Sequence, residues 1–226
     1  MNASLSSEKT RGRAKALEAF PLLQPICAEL DLYEILLRRW QAKINLVAGN
    51  TLAEVWTRHF ADSAQAFMAA PSAHRWVDLG SGAGFPGLVT ALLLKGVAGA
   101  HVDLIESDQR KAAFLRAVSR ETAAPADVHI GRIEDILPQL PTPDAISARA
   151  LAPLVTLVRM GRAPLEKGAR GVFLKGTDWA DELTATQLPD YLVSRTIPSG
   201  SHPGARIVVV ERRATPETPD IRDEKS

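Results

Sequence analysis

The sequence contains one cysteine and no long apolar segment. Because Cys27 has no partner among the 226 residues, an intrachain disulfide framework and metal sites built from several cysteines are excluded, and we expect no metal. No run approaches the roughly 18 apolar residues of a membrane span, and the first twenty residues carry charges where a secretory signal needs an apolar run. We therefore expect a cytoplasmic protein that does not bind membranes.

The sequence also has little net charge. A value of +1 does not by itself indicate a nucleic-acid-binding domain, whose surface is usually strongly basic. Four acidic residues in the last ten offset basic groups elsewhere, so the sum hides any basic cluster. The apolar fraction of 46% and the length are typical of one globular α/β domain with a smaller appendage.

Composition and periodicity divide the chain into four parts. They are a polar, disordered arm (1–12), a helical extension (13–73), the main domain (74–213) and a flexible tail (214–226). In the extension, an apolar stripe over Pro25–Gln41 predicts a helix, and a second stripe begins at a capping box of Thr51 and Glu54.

The main domain alternates predicted strands with helices. This pattern predicts parallel βαβ units and a Rossmann-like sheet covered on both faces, mostly parallel with an antiparallel last strand. The predicted strands are Arg75–Leu79, His101–Ile105, Ala126–Ile130, Asp144–Ser147, Gly171–Leu174, Tyr191–Ile197 and Arg206–Val210. The fold class expected is α/β, with this sheet preceded by a helical extension.

A glycine-rich loop follows the first predicted strand. It reads Gly80-Ser81-Gly82-Ala83-Gly84-Phe85-Pro86-Gly87 and opens a helix, whose free N–H groups favour an anionic or polar ligand. Glu106 ends the next strand, where a carboxylate can accept both hydroxyls of a ribose. Ile133 and Glu134 follow the third strand, where they could pack on and bind an adenine. Together these residues predict a site for an adenosine-type ligand.

The ligand of this loop has two interpretations. Residues 82–87 satisfy the dinucleotide pattern G-x-G-x-x-G, and Glu106 lies 19 residues beyond it, so an NAD-dependent oxidoreductase is one alternative. Asp78 precedes the first glycine, and a carboxylate there repels a pyrophosphate but suits the sulfonium and ammonium groups of S-adenosylmethionine (SAM). SAM is therefore favoured, which makes the class I SAM-dependent methyltransferase sheet the expected fold. A non-catalytic SAM-binding module also stays open.

The segment after the fourth strand bears on the methyl acceptor. Methylation of a pyrimidine C5 usually needs a cysteine nucleophile, and Cys27 is far away in sequence. Enzymes that methylate exocyclic amines often bind them with an Asn/Asp-Pro-Pro-aromatic loop. This segment instead reads Ser147-Ala148-Arg149-Ala150-Leu151, so that acceptor is disfavoured. A guanine N7 needs no base, and Arg149 could contact the neighbouring O6 or a phosphate. Arg149 could equally form a structural ion pair.

These residues resemble the bacterial 16S rRNA guanine-N7 methyltransferases, the small subunit methyltransferase G or glucose-inhibited division protein B family. The resemblance runs from Leu36 to Glu211 and departs mildly at Ser81, Ala83, Phe85 and Ala148. The motifs that carry it are Trp40-x4-Asn45-Leu46, Arg58-His59-x2-Asp62-Ser63, the glycine loop, Ser147-x-Arg149-Ala150, Lys175-Gly176 and Arg206.

The resemblance implies a monomeric enzyme that binds SAM and acts on 16S rRNA or the small ribosomal subunit. It implies catalytic roles for Arg149 and Lys175. It implies SAM contacts from Gly80, Gly82, Phe85, Glu106, Ile133, Glu134 and Arg149. The RNA-binding residues that it implies are Arg58, His59, Arg110, Arg132, Lys175 and Arg206.

Overall fold

Seven strands form one sheet. The computed structural model describes residues 2–214 and has strands β1 (Arg75–Leu79), β2 (His101–Glu106), β3 (Ala126–Ile130), β4 (Ala145–Arg149), β5 (Arg170–Lys175), β6 (Leu192–Pro198) and β7 (Arg206–Arg212). Their order is β3-β2-β1-β4-β5-β7-β6. β1 to β5 pair in parallel, whereas β7 is antiparallel to both β5 and β6. The predicted sheet and its antiparallel last strand are confirmed.

Helices precede the sheet, as the sequence predicts. They are α1 (Asn2–Ala19), a 3₁₀ turn (Pro21–Ile26), α2 (Cys27–Gln41), a second 3₁₀ turn (Gly49–Glu54), a π-helical turn (Val55–Phe60) and α3 (Ala61–Met68). No helix within residues 2–214 is long and apolar enough to cross a membrane.

Helices also alternate with the strands. They are α4 (Gly87–Leu93), α5 (Gln109–Thr122), α6 (Ile133–Ile136), α7 (Leu154–Met160), α8 (Arg162–Glu166) and α9 (Trp179–Ala185). The sequence predicts one helix over Leu154–Leu165, but the structure divides it at Gly161. Pro164 has no backbone N–H to donate to the carbonyl of Met160, which interrupts the helical hydrogen bonds at this point. α9 was not predicted because it buries no residue and so has no apolar stripe.

Two apolar layers cover the two faces of the sheet. One face of β1 buries Trp76 against the N-terminal helices, α4 and α5, whose core residues include Leu30 and Phe114. The other face buries Val77 against α6, α7 and α8. Because alternate residues of a strand point to opposite faces, the five residues of β1 contribute to both layers. The helical extension is thus part of the core, not a separate unit.

Two predictions for the extension need correction. The sequence predicts a disordered arm over residues 1–12, but α1 begins at Asn2. Its C-terminal turns are anchored by Ala16 and Leu17, which are buried in the core, and its residues beyond Gly12 are good helix formers. The capping box is also wrong, since the Thr51 hydroxyl donates to the carbonyl of Ala48 at 2.8 Å. The predicted tail beyond Ala214 lies outside the described residues.

Candidate active site

A first cavity of about 370 Å³ opens at the carboxyl ends of β1, β2 and β3. Parallel strands bring the loops that follow them to one sheet edge, where ligands of α/β proteins bind. All seven residues predicted to contact the cofactor line this cavity: Gly80, Gly82, Phe85, Glu106, Ile133, Glu134 and Arg149. Residues that are far apart in sequence are therefore brought together as expected.

The glycine loop is fixed by its backbone. The Ser81 amide donates to the carbonyl of Ile105 at 2.9 Å, which ties the loop to β2. Gly84 has a φ of +87°, and a Cβ there would collide with the hydroxyl of Tyr33. A side chain at this position would be both strained and obstructed.

Glu106 is held in place by two backbone amides. Its Oε2 accepts a hydrogen bond from the Gly82 N–H and its Oε1 accepts one from the Asp108 N–H, both at 2.8 Å. A carboxylate has about four lone-pair directions, so each oxygen can accept a further bond from a ligand hydroxyl. The geometry suits a pair of neighbouring hydroxyls such as those of a ribose.

Asp78 does not face the first cavity, which corrects the expectation that its charge meets the ligand. The side chain points into the layer between β1 and α4, where the residue is 1% exposed. Its Oδ1 accepts a hydrogen bond from the Ser147 hydroxyl at 2.6 Å. Burial raises the pKa of Asp78 to about 6, although the bonds from Ser147 and Ser81 oppose this shift. Asp78 therefore joins β1 to β4 beneath the loop.

Arg149 lies at the end of β4 and forms part of two cavities. Its Nη1 donates to Nδ1 of His59 at 2.7 Å, and its guanidinium carbon lies 4.8 Å from the centre of the Phe85 ring. Burial lowers the pKa of Arg149, and the nearby carboxylate of Asp62 opposes that shift. The side chain is held by a histidine and an aromatic face, so the predicted alternative of an ion pair is not what orients it.

His59, which the sequence predicts to lie at the surface or to face the substrate, is buried and only 5% exposed. Its Nε2 lies 3.0 Å from the hydroxyl of Thr51, which itself donates to Ala48. The Nε2 must then carry the proton, leaving Nδ1 as the acceptor for Arg149. Burial, followed by the charges of Arg149 and Arg58, lowers the pKa of His59 to about 3. The imidazole is therefore neutral.

Sequence reasoning missed the role of Tyr33 on α2. Its hydroxyl donates to the carbonyl of Ala83 in the glycine loop, and its ring stacks on Phe85 with the centroids 5.3 Å apart. Tyr33 is fully buried. The one available signal was a hydroxyl in an otherwise apolar helix stripe, and that signal does not identify its partner.

A second cavity, also of about 370 Å³, lies on the other side of Arg149. Arg58, with a side chain 38% exposed, and Asp62 contribute to its wall from the helical extension. Asp62 accepts hydrogen bonds from the hydroxyls of Ser199 and Ser201. The remaining wall includes Leu46, Val47, Ala48, Thr51, His59, Ala150, Leu174, Lys175, Gly176, His202 and Ala205.

Lys175 lines the second cavity, but its ammonium group is engaged within the protein. Its Nζ forms an ion pair with Oε2 of Glu182 at 2.7 Å and donates to the carbonyl of Ala152 at 2.9 Å. The side chain is only 9% exposed. These two contacts use two of the three N–H groups of the ammonium, and Glu182 lies on a helix that the sequence did not predict.

The predicted RNA-binding residues do not form one patch. Arg58, His59 and Lys175 line the second cavity, whereas Arg132 is exposed at the first. The Arg110 side chain is 74% exposed on α5 and lines neither cavity. Arg206 lies over the ring of Trp179, 5.4 Å from its centre.

Comparisons with known proteins agree with this architecture. A family model described as rRNA small subunit methyltransferase G matches residues 26–198. The "Ribosomal RNA small subunit methyltransferase G" of Methylorubrum populi is 44% identical over 198 residues, covering 88% of this chain and 94% of the relative. The protein of the same name from Nitrobacter winogradskyi is 49% identical over 173 residues, or 76% of this chain and 62% of that one.

Solved structures share the fold. The O-methyltransferase TomG from Streptomyces achromogenes, in complex with SAM, aligns with a TM-score of 0.57 at 15% identity, covering 82% of this chain and 90% of that one. A putative O-methyltransferase from Klebsiella pneumoniae gives a TM-score of 0.58 at 15% identity, with the same coverage. The predicted class I methyltransferase fold is confirmed. With this fold and a family match that spans most of its length, the chain belongs to the rRNA small subunit methyltransferase G family.

Proposed function

We propose that this protein transfers a methyl group from SAM to N7 of a guanine in 16S rRNA. The observation that carries the proposal is the position of Arg149, which forms part of both cavities. A cofactor in the first cavity and a nucleotide in the second would meet at this side chain. We infer that the enzyme acts as a monomer in the cytoplasm, on RNA within the small ribosomal subunit.

The residues of the first cavity fit SAM. Glu106 can accept the two ribose hydroxyls, and the buried side chain of Ile133 offers an apolar surface for the adenine, with Glu134 beside it. The Gly82 amide is already bonded to Glu106 and is not free for a phosphate. This last feature disfavours a dinucleotide, whose pyrophosphate needs the loop amides. When bound, SAM supplies an electrophilic methyl group on a sulfonium.

Two potential general bases in the wall of the second cavity are already engaged within the protein. His59 Nδ1 is occupied by Arg149, and the Asp62 carboxylate is engaged by two serine hydroxyls. A guanine N7 has a lone pair and no proton to lose, so its methylation needs position and not a base. The remaining N–H groups of Arg149 can donate to the adjacent O6 and orient the purine. Arg58 is suited to a phosphate of the RNA.

Methyl transfer to ribosomal substrates tests this proposal. With labelled SAM, we expect incorporation into 30S subunits or 16S rRNA from a strain that lacks the enzyme, and 7-methylguanine among the digestion products. Arg149→Ala should reduce kcat/KM for the RNA about 100-fold, because it removes the group that orients the purine. Arg159→Ala, an exposed arginine on α7 that lines neither cavity, is the matched control.

Two results would contradict the proposal. A methyl group mapped to a ribose, a pyrimidine or an exocyclic amine would exclude N7 as the acceptor. Tight SAM binding without transfer to either substrate would favour the non-catalytic module, and binding of NAD but not SAM would favour the oxidoreductase.

A further inference from the structure

We propose that the outer edge of the sheet carries a zinc site, away from both cavities. The site is a cluster of four side chains on β2 and the edge strand β3: His101, Asp103, Asp127 and His129. Neither cavity includes any of them. The first cavity opens at Glu106, the last residue of β2, whereas His101 is the first residue of that strand.

Strand geometry brings the four side chains together. Residues two apart on a strand point to the same face, so His101 and Asp103 share a face of β2, as Asp127 and His129 do on β3. The parallel register sets Asp103 directly beside Asp127. The local patterns His-x-Asp and Asp-x-His thus converge on one patch.

The distances within the cluster are those of metal ligands. His101 Nε2 lies 3.3 Å from Asp127 Oδ2 and 3.7 Å from Asp103 Oδ1, and the three ligand atoms lie within 4.8 Å of one another. Ligand atoms of a tetrahedral zinc ion with bonds of about 2.0–2.1 Å lie about 3.3 Å apart. Small side-chain rotations would therefore place one ion between these three atoms, and water would complete the tetrahedron.

The charges of the cluster also favour a cation. Two carboxylates in register repel each other, and the Asp103 side chain is only 9% exposed. Within residues 2–214, the ion-pair partners of Asp103 and Asp127 are His101 and His129, with no lysine or arginine at ion-pair distance. A divalent ion bound between the two carboxylates would remove this repulsion.

The type of ligand atoms favours zinc, and His129 orients one of the ligands. Imidazole nitrogen with carboxylate oxygen suits zinc, whereas calcium and magnesium prefer oxygen ligands alone. His129 Nε2 lies 2.7 Å from Asp103 Oδ1, which is a hydrogen bond and closer than two ligands of one ion approach. His129 therefore orients the Asp103 carboxylate in the way that outer partners commonly orient metal ligands.

Calorimetric titration of the untagged full chain with zinc chloride tests this site. We expect one strong site in the native protein and none in the double variant His101→Gln/Asp127→Asn. His129→Gln should bind zinc about 10–100-fold more weakly, the usual effect of losing an outer partner. His74→Gln, which removes an exposed histidine outside the cluster, should bind as the native protein does. X-ray absorption at the zinc edge should show nitrogen and oxygen neighbours without sulfur.

The outcomes are distinct. Absence of a strong site in the native protein, or equal binding by the double variant, overturns the proposal and leaves the cluster as histidine–aspartate pairs. The single variant His101→Gln gives the same decision if the double variant does not fold. SAM binding, measured on the same samples, should be unchanged by zinc and by these variants, so the zinc site and the proposed methyl transfer can fail independently.

Discussion

The two cavities on either side of Arg149 have the same volume but are built from different parts of the chain. The first is formed mainly by loops that directly follow β1, β2 and β3. The second combines the helical extension, the ends of β4 and β5 and the segment before β7. The cavity that we propose for the cofactor is thus encoded mainly in local motifs, whereas the cavity that we propose for the substrate depends on long-range packing.

The largest effect is expected from a substitution in the first cavity, which should weaken SAM binding. Glu106→Ala removes the carboxylate that we propose for the ribose, and two lost hydrogen bonds to a charged group amount to about 3 kcal/mol, or about 100-fold in the Kd for SAM. Calorimetry with SAM measures this change. Glu121→Ala, on the exposed surface of α5, should bind SAM normally. An unchanged Kd for the Glu106 variant would remove our assignment of this residue.

Lowering the pH should reduce the stability of the folded protein through His59, which lines the second cavity. The unfolded chain gains a proton at His59 below about pH 6.5, whereas in the folded protein its pKa is about 3. Lowering the pH therefore favours unfolding, and the native protein should lose about 2 kcal/mol more than His59→Asn between about pH 7.5 and pH 5. Urea unfolding at both pH values provides the measurement. Equal losses would show that His59 is not buried in its neutral form.

A matched pair of variants separates the two contacts of His59. His59→Phe keeps a ring on Phe85 but removes the acceptor for Arg149, whereas His59→Asn offers an amide oxygen near the position of Nδ1. Because one hydrogen bond to a charged group is lost, we expect His59→Phe to lower kcat about tenfold. His59→Asn should retain most of the activity.

Kinetic parameters decide whether His59 acts through Arg149. A positioning role predicts a lower kcat with an unchanged Kd for SAM. If His59→Phe and His59→Asn lose activity equally, or if both lose SAM binding, the histidine serves the packing of the extension and not the orientation of Arg149.

The smallest expected effects concern exposed arginines outside the second cavity. If each side chain contacts one phosphate, Arg110→Ala and Arg132→Ala should each weaken RNA binding about two- to threefold. Each should also reduce the slope of the logarithm of the binding constant against the logarithm of the salt concentration by about 1. Filter binding at several salt concentrations measures both quantities. Arg120→Ala, further along α5, is the control. Native slopes in Arg110→Ala and Arg132→Ala would confine the RNA to the second cavity.

The sequence predicted the sheet well because each strand has a local signature. β1 and β3 have the predicted bounds, and the other strands differ by one or two residues at their ends. The helices were less well predicted where tertiary contacts decide. The formation of α1, for example, depends on the burial of Ala16 and Leu17.

The candidate site divides in the same way. The glycine loop and Glu106 were identified because turn geometry and strand ends fix their positions locally. The partners of Asp78 and His59 were not predicted, since Ser147 and Arg149 lie far away in sequence. Lys175 pairs with Glu182, which is near in sequence but lies on the unpredicted helix α9. Nothing in a local pattern indicates whether a polar side chain faces a cavity or a buried partner.

By itself, the sequence determined the alternation of strands and helices, the glycine loop and the carboxylate at the end of β2, because backbone sterics and residue periodicity act over a few neighbours. Only the tertiary structure decided that Tyr33 and His59 of the helical extension pack on Phe85 and that His59 orients Arg149. Such contacts join residues that are 26 (His59 and Phe85) to 90 (His59 and Arg149) positions apart, and burial in a shared core selects them.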